Sequence, residues 1–203
     1  PTRRSSDLGV SRSRGDSGAG ASARTRRGKQ EELLLALDKV ARETDDPGAS
    51  RQLWRIAANV AEVAKEEPER ALGYYVNINE RFPEDAEALD AQIRLLETLE
   101  RWKPLRETLE RRAELETEMD AQLALFVQAA AVATHQLDAK EDALDLYRRA
   151  LDVDPSSKEV ASHLMALQRD LERWGGLVET LESAFERAES VDEQVPVLFE
   201  LAQ

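Results

Sequence analysis

Apolar residues recur every three to four positions along most of this chain. Between Gln52 and Lys65 they fall on Leu53, Trp54, Ala57, Ala58, Val60, Ala61 and Ala64, and a second stripe begins at Ala71, Leu72 and Tyr75. This spacing matches the turn of a helix and not the alternation of a strand. The stripes are interrupted at Asp45-Asp46-Pro47-Gly48, Glu67-Pro68, Phe82-Pro83-Glu84-Asp85, Leu137-Asp138 and Asp154-Pro155-Ser156-Ser157. Each break combines a turn former with a side chain able to cap a helix. Helices are therefore predicted over 29–43, 50–65, 68–81, 86–99, 102–115, 120–136, 139–152, 157–171, 174–188 and 192–203. Connections of a few residues make neighbours antiparallel. The expected fold class is all-α, an α-solenoid of antiparallel helix pairs.

The pattern repeats at an offset of 72 residues. Leu99-Glu100-Arg101-Trp102 returns as Leu171-Glu172-Arg173-Trp174, and Glu107-Thr108-Leu109-Glu110 as Glu179-Thr180-Leu181-Glu182. The same offset pairs Trp54 with Phe126, Ala57-Ala58 with Ala129-Ala130, Ala61 with Ala133, Tyr75 with Tyr147 and Pro83 with Pro155. It reaches back to Leu33 and Leu37 and forward to Leu198 and Ala202. A fixed period of this kind is the signature of stacked supersecondary units.

Two helix pairs resemble the tetratricopeptide repeat, whose pattern is Trp-x2-Leu-Gly-x2-Tyr, then Ala-x3-Phe, then Pro. In the first, Trp54, Ala57, Ala58 and Ala61 are followed by Ala71, Tyr75 and Pro83; in the second, Phe126, Ala129, Ala130 and Ala133 are followed by Ala143, Tyr147 and Pro155. Ala58 and Ala130 replace the pattern's Gly, and one extra residue separates the helices of each pair. The intervening pairs, 86–99 with 102–115 and 157–171 with 174–188, are degenerate: they lack the closing Pro and start their second helix at Trp102 or Trp174. Small residues in this code permit close helix approach, and large aromatics fill the wedge between pairs. Trp54, Trp102 and Trp174 are accordingly expected in the core, where Trp102→Ala would cost about 3–5 kcal/mol.

Charge divides the chain unevenly. The formal net charge is −13, but the first thirty residues hold eight basic side chains against Asp7 and Asp16, a net of +6, which leaves −19 on the other 173. Residues 1–28, with five glycines and six serines, have too little apolar surface to offset the entropy of ordering and are expected to be disordered. Their arginines suit a transit peptide or a nucleic-acid-binding arm. Against both, Pro1-Thr2-Arg3-Arg4-Ser5-Ser6-Asp7-Leu8 resembles a translated sequencing adapter and reads as foreign, whereas the origin of 9–28 stays open. The repeat array is assigned to 29–203 and reads as truncated at both ends.

Candidate chemistry is sparse. With no cysteine, disulfides, thiolate metal sites and a cysteine nucleophile are excluded. His135 and His163 stand where the repeat has Val63 and Ala91, and neither belongs to a His-x3-His or His-Glu-x-x-His spacing. Asp152-x-Asp154-x-Ser156 opens like a calcium loop, but Ser157 and His163 occupy the positions that need Gly and Glu. Gly175-Gly176 is not followed by Gly-Lys-Ser/Thr, so no phosphate loop is expected. Carboxylates such as Glu114, Glu116, Glu118 and Asp120 read as solvated helix faces. No catalytic, cofactor-binding or metal-binding residue and no cofactor is expected. A charge of −19 on the array opposes binding to nucleic acid or to a membrane surface.

The tetratricopeptide resemblance implies a non-catalytic scaffold or adaptor that holds a peptide or protein surface against the first helices of successive pairs. It places the groove at Gln52, Arg55, Asn59 and Glu62 in one copy and at Ala124, Val127, Ala131, Thr134 and His135 in the next. The acidic field favours basic partners. Two other readings stay open: a regulatory or substrate-recruiting region of a larger enzyme, and a structural, self-assembling spacer. Leu33-Leu34-Leu35 and Val197-Leu198-Leu201 also predict self-association through uncapped ends, because terminal repeats normally need a polar outer face. The compartment is open, with the cytoplasm favoured.

Overall fold

The computed structural model describes residues 16–64, 67–188 and 190–202. The adapter-like residues 1–8 and the disorder expected for 1–15 lie outside them. The described residues form ten α-helices and a π-helical turn, without a strand. They are α1 (Asp16–Glu43), α2 (Pro47–Asn59) continued by the π turn Val60–Ala64, α3 (Pro68–Arg81), α4 (Ala86–Thr98) and α5 (Trp102–Leu115), followed by α6 (Met119–His135), α7 (Lys140–Val153), α8 (Lys158–Asp170), α9 (Trp174–Arg187) and α10 (Val191–Leu201). The fold is an α-solenoid of antiparallel helix pairs. Two compact units divide inside α3, Pro1–Tyr74 and Tyr75–Gln203.

In the first unit α1 packs on α2. Asp46 caps α2 by accepting from the Gly48 N–H (2.9 Å), and Pro47 occupies the first turn, where its missing N–H costs nothing. The Ser50 hydroxyl donates to the Ala41 carbonyl (2.7 Å) and the Trp54 indole N–H to Asp38 Oδ1 (3.0 Å), so two buried polar groups tie the helices together. Arg70 of α3 reaches both carboxylate oxygens of Glu31 at 2.8 Å.

In the second unit each helix packs on its neighbours in sequence, α4 on α5 through to α9 on α10. The 72-residue offset carries over to helix ends: α3, α4 and α5 begin at 68, 86 and 102, and α7, α8 and α9 at 140, 158 and 174. It also carries over to single hydrogen bonds. The Arg101 N–H donates to Leu96 O (2.9 Å) and the Glu100 N–H to Glu97 O (3.1 Å); Arg173 to Gln168 O (2.7 Å) and Glu172 to Arg169 O (3.1 Å) repeat them. This paired pattern is a Schellman stop, in which one residue adopts a left-handed backbone. That residue is Glu100 in one copy (φ 53°) and Glu172 in the other (φ 55°).

A side chain with a Cβ is strained there, so Glu100→Gly is expected to stabilise the second unit by about 0.5–1 kcal/mol. Glu97→Gly, three residues earlier within α4, is expected to destabilise it by about 1 kcal/mol. Urea melts of both variants check the assignment, and equal losses in the two would refute it.

Three expectations are corrected. Residues 16–28, read as unstructured, are the first half of α1. Alanine and arginine at 19, 21, 23, 24, 26 and 27 favour helix, and the amphipathic remainder of α1 supplies a nucleus from which it can propagate despite Gly18 and Gly20. Gly28, at the register of Glu100 and Glu172, stays helical. Secondly, α2 starts at Pro47 and not at 50. Thirdly, of the three tryptophans only Trp54 is core: Trp102 is half-buried and Trp174 is 58% exposed. Both occupy the first position of their helices, where a side chain leans back past the helix end and away from the packed turns.

Candidate protein-binding face

The candidate residues of α2 and its π turn lie three and four apart, which keeps them on one side of the helix. Gln52 and Asn59 are exposed, and Arg55 and Glu62 half-buried. The other side is packed: Ser50, Trp54, Ala57, Ala58 and Ala61 are buried. Two residues missed in the sequence join the accessible side. Ile56 and Val63 are exposed, and with half-buried Val60 they form an apolar stripe at i, i+4 and i+7. Comparison across the 72-residue offset carries the signal, because their counterparts are the polar Gln128 and His135.

In α6 the candidate side holds exposed Ala124 and His135 and half-buried Val127, Ala131 and Thr134. The Thr134 hydroxyl donates to the Ala130 carbonyl (2.9 Å), which leaves its oxygen as an acceptor. Behind them Phe126, Ala129, Ala130 and Ala133 are buried. Gln128 donates to Glu97 Oε1 (2.8 Å), tying α6 to the preceding first helix α4. The structure thus gathers each candidate set on one helix face, one set in each unit.

Ion pairs run along α5 and from it to α4 and α7. Arg112 pairs with Asp90 (2.8 Å) and Glu116 (2.9 Å), and Arg106 with Glu110 (3.3 Å) and Asp142 (3.8 Å). The Glu116 carboxyl is held below its ordinary range, first by the Glu118 and Thr117 N–H groups and then by Arg112. A general acid would need the opposite shift. His163 is exposed and stacks on Tyr147 (5.4 Å between ring centres). Burial, aided by the charge of Glu159, pushes the Tyr147 hydroxyl up, away from ionisation at neutral pH. No helix among the described residues is long and apolar enough to cross a membrane.

The tetratricopeptide pattern can be checked against burial. Ala57, Ala58, Ala61 and Ala71, and their counterparts Ala129, Ala130, Ala133 and Ala143, are all fully buried. These are the small residues that the pattern uses to bring helices close. The fold is tetratricopeptide-like.

No family model and no curated protein sequence matches the chain. Solved structures that it resembles include MamA, with 15% identity, 67% of this chain and 72% of that one covered, and a TM-score of 0.44. A MamA RS-1 ArsTM double mutant is 20% identical over 83% of this chain and 90% of its own, with a TM-score of 0.40. YrrB, described as a TPR protein with an unusual peptide-binding site, is 18% identical over 73% of this chain and 72% of its own, with a TM-score of 0.43.

Proposed function

We propose that the chain is a non-catalytic scaffold that holds a protein segment, preferably a basic one, against the accessible faces of its first helices. The observation that carries this reading is the sidedness of α2 and α6, whose small and aromatic residues are buried while Gln52, Arg55, Asn59, Glu62, Val127, Ala131, Thr134 and His135 remain accessible. A scaffold requires such a face on a rigid support, and the ladders of buried alanine provide that support. Exposed Ile56 and Val63 add apolar contact area next to polar groups able to fix a ligand's register. The net −19 outside the first thirty residues favours encounter with cationic segments and makes the rate of association fall with salt.

Selection from a displayed library of random peptides tests the reading. Enriched peptides are expected to be basic, and to bind at least about tenfold more weakly to Arg55→Glu or Ala131→Arg, the loss of one good contact. The Glu107→Ala variant, altered on an exposed position of α5, is expected to bind them unchanged. A library that yields no binder, or binders indifferent to both face variants, overturns the proposal.

A further inference from the structure

The 72-residue offset sets α9 against α5, and the two helices are fastened differently. Arg112 of α5 pairs with Asp90 of α4 (2.8 Å), and Arg111 donates to the Pro83 carbonyl (3.0 Å) in the turn before α4. At the register of Arg111, Arg112 and Asp90 the later copy has Ser183, Ala184 and Ser162, which carry no charge. Leu96, buried on α4, becomes Gln168 on α8. The Gln168 amide nitrogen donates to the Thr180 hydroxyl (3.0 Å), but its Oε1 is buried without a partner among the described residues, a cost that leucine does not carry. Lys103-Pro104 in the first turn of α5 becomes Gly175-Gly176 in α9. Proline presets a helical φ and its missing N–H costs nothing there, whereas two glycines lose more conformational freedom on joining the helix. The glutamine and the second glycine go together, since a Cβ at Gly176 would meet Gln168 Nε2 at 3.1 Å.

The turn between α8 and α9 is itself held. Arg173 pairs with Glu141 (2.6 Å) and Asp170 with Lys140 (2.5 Å), so both sides of the left-handed residue Glu172 are anchored to the first turn of α7. A pinned turn followed by a loosely fastened helix is a hinge. We infer that α9 is a flap, which swings off α8 about residues 170–173 and carries α10 with it while α4 to α8 stay folded. Opening uncovers Leu177 and Leu181, buried in the closed form, together with the side of α8 on which α9 lies. Burial of these leucines favours closing, and the unmet amide oxygen and the two glycines oppose it, so the open form is a minor state above a closed ground state. In α5 the same register holds Leu105 and Leu109, also buried, with the ion pair to α4 in place and neither opposing feature, and that helix stays closed. The device lies outside α2 and α6 and stands or falls independently of the peptide-holding faces.

Native-state hydrogen exchange of the 203-residue chain, read by mass spectrometry and corrected for intrinsic rates, tests the flap. Amides of residues 178–184 in α9 are expected to exchange at least about tenfold faster than those of 106–112 in α5, through an opening that leaves α7 and α8 protected. Restoring the residues of the α5 copy should close the flap. Gln168→Leu combined with Gly175→Lys and Gly176→Pro is expected to slow α9 exchange about tenfold. Ser162→Asp with Ala184→Arg, which restores the ion pair from accessible positions and leaves the α9 start untouched, is expected to slow it about threefold. A helix that merely frays would exchange fast in parent and variants alike. The inference is overturned by equal protection of α5 and α9, by α9 exchange that neither set of substitutions slows, or by an opening in which α8 exchanges together with α9.

Discussion

Replacing Trp54 with alanine is expected to destabilise the first unit by about 3–5 kcal/mol, a large share of the stability of a small domain. The ring is 5% exposed, and its indole N–H donates to Asp38, so truncation opens a cavity and also leaves a carboxylate oxygen without that donor. The same substitution at Trp174 is expected to change stability by no more than about 0.5 kcal/mol, since that ring faces solvent. Trp102→Ala should fall between them, below the 3–5 kcal/mol expected of a fully buried ring. Urea unfolding followed by far-ultraviolet circular dichroism measures all three. If Trp174→Ala proves as costly as Trp54→Ala, the exposure of the α9 start is wrong.

The three tryptophans mark how far the sequence could be read. Periodicity locates a helix face but does not distinguish a mid-helix position from the first one. Trp54 sits two turns into α2, whereas Trp102 and Trp174 open their helices. Where breaks contained Pro, Asp or Ser, as at Asp46-Pro47 and Pro155-Ser156-Ser157, the turns were legible because those residues act locally. The left-handed turns at Glu100 and Glu172 were not, since glutamate gives no sign of positive φ and the stop shows only in the backbone hydrogen bonds that close it. The first half of α1 was missed for a related reason: composition measures what a segment can bury, but a helix can propagate from a neighbour that is already folded.

On the candidate faces, the polar and small residues were legible through the family pattern. Ile56 and Val63 were not, because apolar residues at helical spacing ordinarily read as core. Only comparison with Gln128 and His135, residues at the same register facing the same way, separates them from the buried set. An internal repeat thus supplies what an alignment would: shared positions report the scaffold, and divergent ones report what each copy does with its surface.

The largest effect in the second unit is expected from Phe126→Ala, again about 3–5 kcal/mol. Its environment is a rearranged version of that around Trp54. Asp38, which accepts from the Trp54 indole, corresponds by the 72-residue offset to Glu110. A phenylalanine has no N–H to offer, and Glu110 is instead paired with Arg149, whose guanidinium lies 4.5 Å from the centre of the Phe126 ring and also bonds Glu114 (2.8 Å). At the register of Arg149 the first copy has Asn77, which carries no charge. The acid on the preceding helix is therefore constant while its donor changes with the ring, indole in one copy and guanidinium in the other. A double-mutant cycle between Phe126→Ala and Arg149→Met is expected to give a coupling of about 0.5–2 kcal/mol, the range for a cation over an aromatic face. The coupling should persist at high salt, because the part-buried ring contact is screened less than the exposed pair to Glu114. Strict additivity of the two losses would mean that Arg149 serves only its carboxylates and that the ring is held by packing alone.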